Sequence, residues 1–286
     1  MLRFPIIAIV ALTGVCVGGC GRSDPMPGRH VLAVNAWTTG RISKIDFDDA
    51  GRPMNRSIDL PIRAPITQLT LIGDRLFGLV PQWPGEDEVA GLYEIDIAQR
   101  KLRLIADLSE HRDHGGLEAH SGRLWTLVRT GLIVHDIETG RTRLIQTGPV
   151  QTQLGLASTG ASVVFLSSDG RLLRCDPRTE EVGELTPGSG ERFNQVAGCM
   201  PGVVVAEVLG DPARPSIIRD PYAAVPGTWQ GRLPSSATLG RLMADGRDAW
   251  ILCTNDLSNS TTMIRVSDGR REVVPTWVLS GVIVPD

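Results

Sequence analysis

The sequence predicts an all-β fold: a six-bladed β-propeller of four-stranded blades, its ring closed by the C-terminal strand. Three observations predict it. Short apolar runs alternate with turn residues along the whole of residues 29–286, and no long segment keeps the 3.6-residue period of an amphipathic helix. Turn markers recur with a period in the forties. The two ends of this region each read as one part of the same unit.

The clearest unit surrounds residues 122–148, GRLWTLVRTGLIVHDIETGRTRLIQTG. RLWTLV, GLIVHDI and RTRLIQ are three strands joined by turns, and GGLEAH before them is an inner fourth. The same grammar recurs on both sides. The turn after each first strand is marked by Gly28, Asp74, Gly122, Gly160, Gly202 and Gly246, spaced 46, 48, 38, 42 and 44 residues apart. Four short strands per forty-odd residues is the pattern of a propeller blade. A second marker closes the third strand: Asp46, Asp96, Asp136, Asp176 and Asp220, with Val266 in the sixth unit. A carboxylate there folds back onto turn amides, so these aspartates are read as turn caps and not as catalysts.

The first unit starts at RHVLAVNAW, a second strand with no first strand before it. The last residues, WVLSGVIVPD, match a first strand ending at its marker, Asp286. From Gly28 to Asp286 is 258 residues, or six periods of 43. The C-terminal strand therefore completes the first blade and leaves no unpaired inner edge.

Residues 1–19 are set apart from the fold. MLR is a short positive start, and FPIIAIVALTGV is apolar but too short to span a bilayer, as in a signal peptide. Val17-Gly18-Gly19-Cys20 follows, and it resembles the lipobox of bacterial lipoproteins, with Val where Leu is usual. The resemblance implies cleavage before Cys20 and lipidation of its sulfur, with residues 20–28 as a tether. It places the propeller domain on the extracytoplasmic side of the cell membrane, held by lipid. An ordinary signal peptide and a buried N-terminal strand are the alternatives. Three cysteines remain in the domain, Cys175, Cys199 and Cys253, all in apolar strand-like contexts. They read as buried free thiols, with a Cys175–Cys199 bridge as the alternative.

The strand-3 pattern, Ile-Asp followed by Thr-Gly and a cation, is similar to the YVTN and NHL types of extracytoplasmic propeller. That architecture is shared by lactonases, quinoproteins, lyases and binding scaffolds, so it does not deliver a function. Composition excludes some classes. Net charge is −3, Lys occurs only at positions 44 and 101, and no basic run exceeds two residues, so no nucleic-acid partner is indicated. No Gly-x-Ser-x-Gly elbow, P-loop, Rossmann fingerprint or Cys-x-x-Cys-His haem site is present.

Blade topology maps residues to one face, the mouth where strand-4-to-1 and strand-2-to-3 loops gather. Trp83, His111, Asp113, His114, Arg129 and Asn194 fall there, and Gln68, Gly116, Gln153, Gln195, Thr238 and Gly281 fall along the channel. Three glutamines and a threonine make a neutral polar throat, suited to hold a sugar, a peptide backbone or water. Gln68, Trp83, Arg129, Gln153, Asn194 and Gln195 are thus candidates for a ligand or partner. His111, Asp113 and His114, followed by Glu118 and His120, are the right donor types for a divalent metal, though their spacing matches no zinc motif. The plain alternative is a solvated polar loop. Gln82–Gly91 is the longest inserted loop and sets Trp83 beside Glu86, Asp87 and Glu88, where a sugar or partner could stack. The expectation is a monomeric, membrane-anchored scaffold with no required cofactor, binding an envelope protein or small ligand. The alternative is a metal-dependent, lactonase-like hydrolase or lyase.

Overall fold

A computed structural model describes residues 29–34, 40–47, 52–82, 88–111, 113–152, 155–186, 190–200, 202–209, 211–219, 221, 238–244, 249–255, 260–265, 271–274, 278 and 280–285. Among the described residues the chain is all-β, with no helix, and its strands form six antiparallel sheets, five of them four-stranded. The first three strands are β1 (Arg29–Val34), β2 (Arg41–Phe47) and β3 (Pro53–Asp59), and they share a sheet with the last, β23 (Ser280–Pro285), in the order β23-β1-β2-β3. The second sheet runs β4 (Gln68–Ile72), β5 (Arg75–Val80), β6 (Gly91–Asp96), β7 (Lys101–Asp107). The third runs β8 (His114–His120), β9 (Arg123–Val128), β10 (Gly131–Asp136), β11 (Thr142–Gln146).

The fourth sheet comprises β12 (Leu156–Ser158), β13 (Val163–Leu166), β14 (Leu172–Cys175) and β15 (Val182–Glu184). The fifth holds β16 (Phe193–Met200), β17 (Val203–Val208) and β18 (Asp211–Arg219); residues 222–237, which follow it, lie outside the described residues. The sixth is β19 (Thr238–Ala244), β20 (Ala249–Asn255), β21 (Ser260–Arg265), β22 (Arg271–Val274).

Hydrophobic pattern explains which strand lies where. RLWTLV of β9 and GLIVHD of β10 are buried along almost their whole length, because sheets cover both of their faces. TRLIQ of β11 alternates exposed and half-buried residues, as a strand with one solvated face must. Five apolar clusters fill gaps between neighbouring sheets. One joins the first sheet to the second through Leu32, Ile42, Leu69 and Ile95, and another joins the first to the sixth through Val31, Ile45, Trp250 and Met263. The remaining three link second to third, third to fourth and fourth to fifth. The leading strands touch in order: β4 beside β8, β8 beside β12, β12 beside β16, β16 beside β19, β19 beside β23, and β23 beside β4.

The turns follow the residues that mark them. His120 and Arg123 pair across a two-residue loop in which Ser121 and Gly122 have φ of 51° and 73°. Two successive left-handed residues make the type I′ turn that right-twisted hairpins favour. At the end of the third strands, the Asp96 carboxylate accepts the Gln99 amide at 2.8 Å, and Asp136 accepts Thr139 at 2.9 Å. Asp176 accepts the Arg178 and Thr179 amides at 2.8 and 3.2 Å. These N–H donors hold the Asp136 and Asp176 carboxyls below the usual carboxylate range. The three aspartates are turn caps, as their phase in the sequence predicts. Asp220 lies outside the described residues.

Cys175 is a free thiol, fully buried at the end of β14, so it makes no bridge to Cys199. Burial pushes its pKa up to about 11. Iodoacetamide at pH 8 is therefore expected to leave Cys175 unmodified in the native protein and to label it once the chain is unfolded in denaturant. Peptide mapping reads the result, and native labelling at the rate of an exposed thiol would contradict the buried placement.

Candidate functional site

Of the residues expected at the mouth, Asp113 and Arg129, with His111 beside them, gather at the start of the third sheet. Chain reversal brings Glu110, His111 and Asp113, which precede β8, against Arg129 and Thr130, which follow β9. The Arg129 amide donates to the Asp113 carbonyl at 3.1 Å, and the Val150 amide donates to the Arg129 carbonyl at 3.0 Å. The Arg129 guanidinium pairs with the Asp113 carboxylate. Glu110, His111, Asp113, Val128, Arg129 and Thr130 surround a hollow of about 560 Å³. That size lies within the range of small-molecule clefts.

The Asp113 and Arg129 side chains are 45% and 77% exposed. An ion pair that open adds at most about 1 kcal/mol to stability. Its chemical value is its shape: a guanidinium offers several planar donors, and one carboxylate does not use them all. Glu110 and Asp113 offset Arg129, so the hollow suits a polar or zwitterionic group and not a strongly charged one.

His114 opens β8 and is buried. Its Nδ1 lies 2.8 Å from the His111 carbonyl and its Nε2 lies 3.2 Å from the Val80 carbonyl of β5. Both ring nitrogens thus face backbone acceptors, and the imidazole links the second sheet to the third. A metal ligand needs a ring nitrogen lone pair aimed at the ion. With His114 turned to carbonyls and Asp113 turned to Arg129, two of the three donors of the metal trio are engaged elsewhere. Among the described residues, no group of three or more His, Cys, Asp or Glu side chains is gathered as a metal site would require.

Glu118 lies mid-strand in β8, and His120 closes that strand at the opposite end from His114. The His120 Nδ1 lies 2.9 Å from the Ser158 hydroxyl of β12. His135 is buried in β10, with Nδ1 2.8 Å from the Thr142 hydroxyl of β11. Burial holds both imidazoles below their ordinary pKa. Above about pH 6.5 both are neutral whether folded or unfolded and cost nothing; below it the unfolded chain takes up protons that the folded chain refuses. Stability is therefore expected to fall as pH drops below about 6.5, by up to about 1.4 kcal/mol per pH unit for each histidine. Melting temperatures at pH 7.5 and 5.5 measure it, and His120→Gln should narrow the difference.

One of the proposed throat residues, Gln68, fastens two sheets. Gln68, buried at the start of β4, accepts the Leu117 amide of β8 on its Oε1 at 2.6 Å. One strand back, the Ser280 hydroxyl of β23 accepts the Leu69 amide of β4 at 3.2 Å. At these two junctions a leading strand uses a side chain to satisfy an amide of the next. Gly116 leaves no room for any side chain, since a Cβ there would stand 2.6 Å from the Leu156 Cβ of β12. Gln195 is buried in β16, and Asn194 beside it is the extra residue of a bulge between Phe193 and Gln195. Cys20, Trp83 and Gln153 lie outside the described residues. The neighbour that sequence reasoning missed is Glu110; only its place two residues beyond Leu108 on the loop could have marked it. No family model matches the chain, and no curated protein matches it either.

Proposed function

We propose that this chain is an extracytoplasmic lipoprotein whose six sheets are the blades of a closed β-propeller. Its mouth would act as a binding scaffold for a small polar ligand or an envelope protein. The cyclic order of neighbouring leading strands, together with the β23–β1 pairing, supports the propeller. The observation that carries the binding reading is the open hollow built on Asp113 and Arg129, where an ion pair of little use to stability is presented to solvent. The lipid anchor rests on the residues around Cys20. A metal-dependent hydrolase would need His111, Asp113 and His114 as ligands, and the contacts of His114 and Asp113 favour the scaffold instead.

Two measurements test the two parts. Cys20→Ser should move the protein from the membrane fraction to the soluble one; a cleaved variant that stays in membranes would refute the anchor. A photocrosslinking amino acid at position 111, used in living cells, should capture one defined partner or ligand, while the same probe at position 100 on the opposite face should not. Equal capture at both positions would refute the mouth as the binding face.

A further inference from the structure

A second hollow lies apart from the one built on Asp113 and Arg129. It occupies about 760 Å³ between the first and second sheets, at the end of the strands where β1 begins. Leu71, Ile97, Leu102 and Val284 form its half-buried apolar wall, packed against the cluster that joins those sheets. His30, the second residue of β1, lines it too.

Its polar rim is self-contained. Arg75 donates to the Glu94 carboxylate at 2.7 Å, Arg103 donates to the other oxygen of the same carboxylate, and Lys101 donates to Gln99 at 2.9 Å. Arg75, Lys101 and Arg103 balance Asp74, Glu94 and Asp96, so the lining carries no net charge. A charged headgroup gains nothing from such a rim. An uncharged molecule with a long apolar body fits it: the wall takes the hydrocarbon, and the rim asks for no counter-ion.

One molecule of that kind is supplied by the chain itself, on the reading that Cys20 is lipidated. A thioether-linked diacylglyceryl group is uncharged and mostly hydrocarbon. Nine residue steps separate Cys20 from Arg29, and they reach at most about 30 Å when extended. β1 starts at the mouth of the hollow, so this reach covers the whole cleft. We infer that the cleft between the first two sheets shelters an acyl chain of the protein's own Cys20 lipid when the molecule is off the membrane. The inference rests on the lipoprotein reading above. The Asp113–Arg129 hollow lies on the third sheet, before β8 and after β9, and shares no lining residue with the cleft, so an occupied cleft leaves that hollow open.

The test uses the full chain, made in bacteria fed palmitate with a terminal diazirine and purified in detergent free of phospholipid. The mass of the Cys20 peptide is read first, and irradiation then fixes the acyl chain to whatever it touches. The expected result is a lipidated Cys20 peptide crosslinked within the same molecule to residues 95–103 or 71–76. Leu102→Glu, folded by circular dichroism, should lose those crosslinks; Ile97→Glu serves if that variant does not fold. Lipidated protein whose crosslinks are spread evenly, or survive either substitution, overturns the cleft. An unlipidated Cys20 overturns the lipoprotein reading and the cleft assignment together.

Discussion

Removing Val278–Asp286 is expected to abolish cooperative folding. The deletion takes away β23, which pairs with all six residues of β1 from Arg29↔Pro285 to Val34↔Ser280. It uncovers Val31, Leu32 and Ala33, and it deletes Val278, Val282 and Ile283, which are 1%, 9% and 4% exposed. Each of those three side chains stabilises by about 1.5–3 kcal/mol when buried. Together they approach the whole stability of a typical domain, about 5–15 kcal/mol. The loss is not confined to one sheet. Ser280 is the acceptor for the Leu69 amide of β4, so that hydrogen bond between the first and second sheets is lost as well. Circular dichroism on heating reads the outcome. A truncated chain that melts like the intact one would show that β23 is dispensable.

The second large effect is expected at Gly116→Ala. Gly116 has φ of 64° and sits in a bulge between the paired residues Gly115 and Leu117. An L-residue held there costs about 1–2 kcal/mol. The new methyl would also stand 2.6 Å from the Leu156 Cβ, a contact that neither backbone can relieve without moving β8 from β12. Such overpacking costs about 1–3 kcal/mol more. A loss of about 2–5 kcal/mol lowers the melting temperature by roughly 5–15 °C in a domain of this size. Gly122→Ala separates the two terms. Gly122 has φ of 73° but nothing within 4 Å of its missing Cβ. It should lose only the backbone share, about 1–2 kcal/mol. Equal losses at the two positions would refute the clash.

Gly116 also shows how far a sequence carries. The strand grammar was legible because each strand is short, its burial alternates or not according to its place, and its turns need Gly or Asp. Asp96, Asp136 and Asp176 fell where their spacing put them, since a turn is a local event that four or five residues decide. The position of Gln68 and Gly116, just before Leu69 and Leu117 of their strands, was legible too, but their task was not. Whether an amide faces a channel or fastens a neighbouring strand depends on Leu117, forty-nine residues away, and no local pattern carries that distance. His114 makes the same point. Its sequence neighbours suggest a metal trio, while its ring nitrogens answer to Val80 on a strand of another sheet and to the His111 backbone. The Asp113–Arg129 hollow was half visible: both residues map to one face, but nothing in the spacing shows that they meet.

The pairing of β1 with β23 also sets a clock. Val31 and Ile283 lie 252 residues apart in the chain, so joining them closes a loop whose entropy costs about 5 kcal/mol. The hairpins close across as few as two residues and are formed early by comparison. At about 5–20 residues per second, synthesis of the intervening chain takes roughly 10–50 s. Throughout that time β1 exists with its outer partner β2 and without its inner one. The earliest described strand made is among the last to be secured, which leaves the first sheet incomplete until β23 has been made.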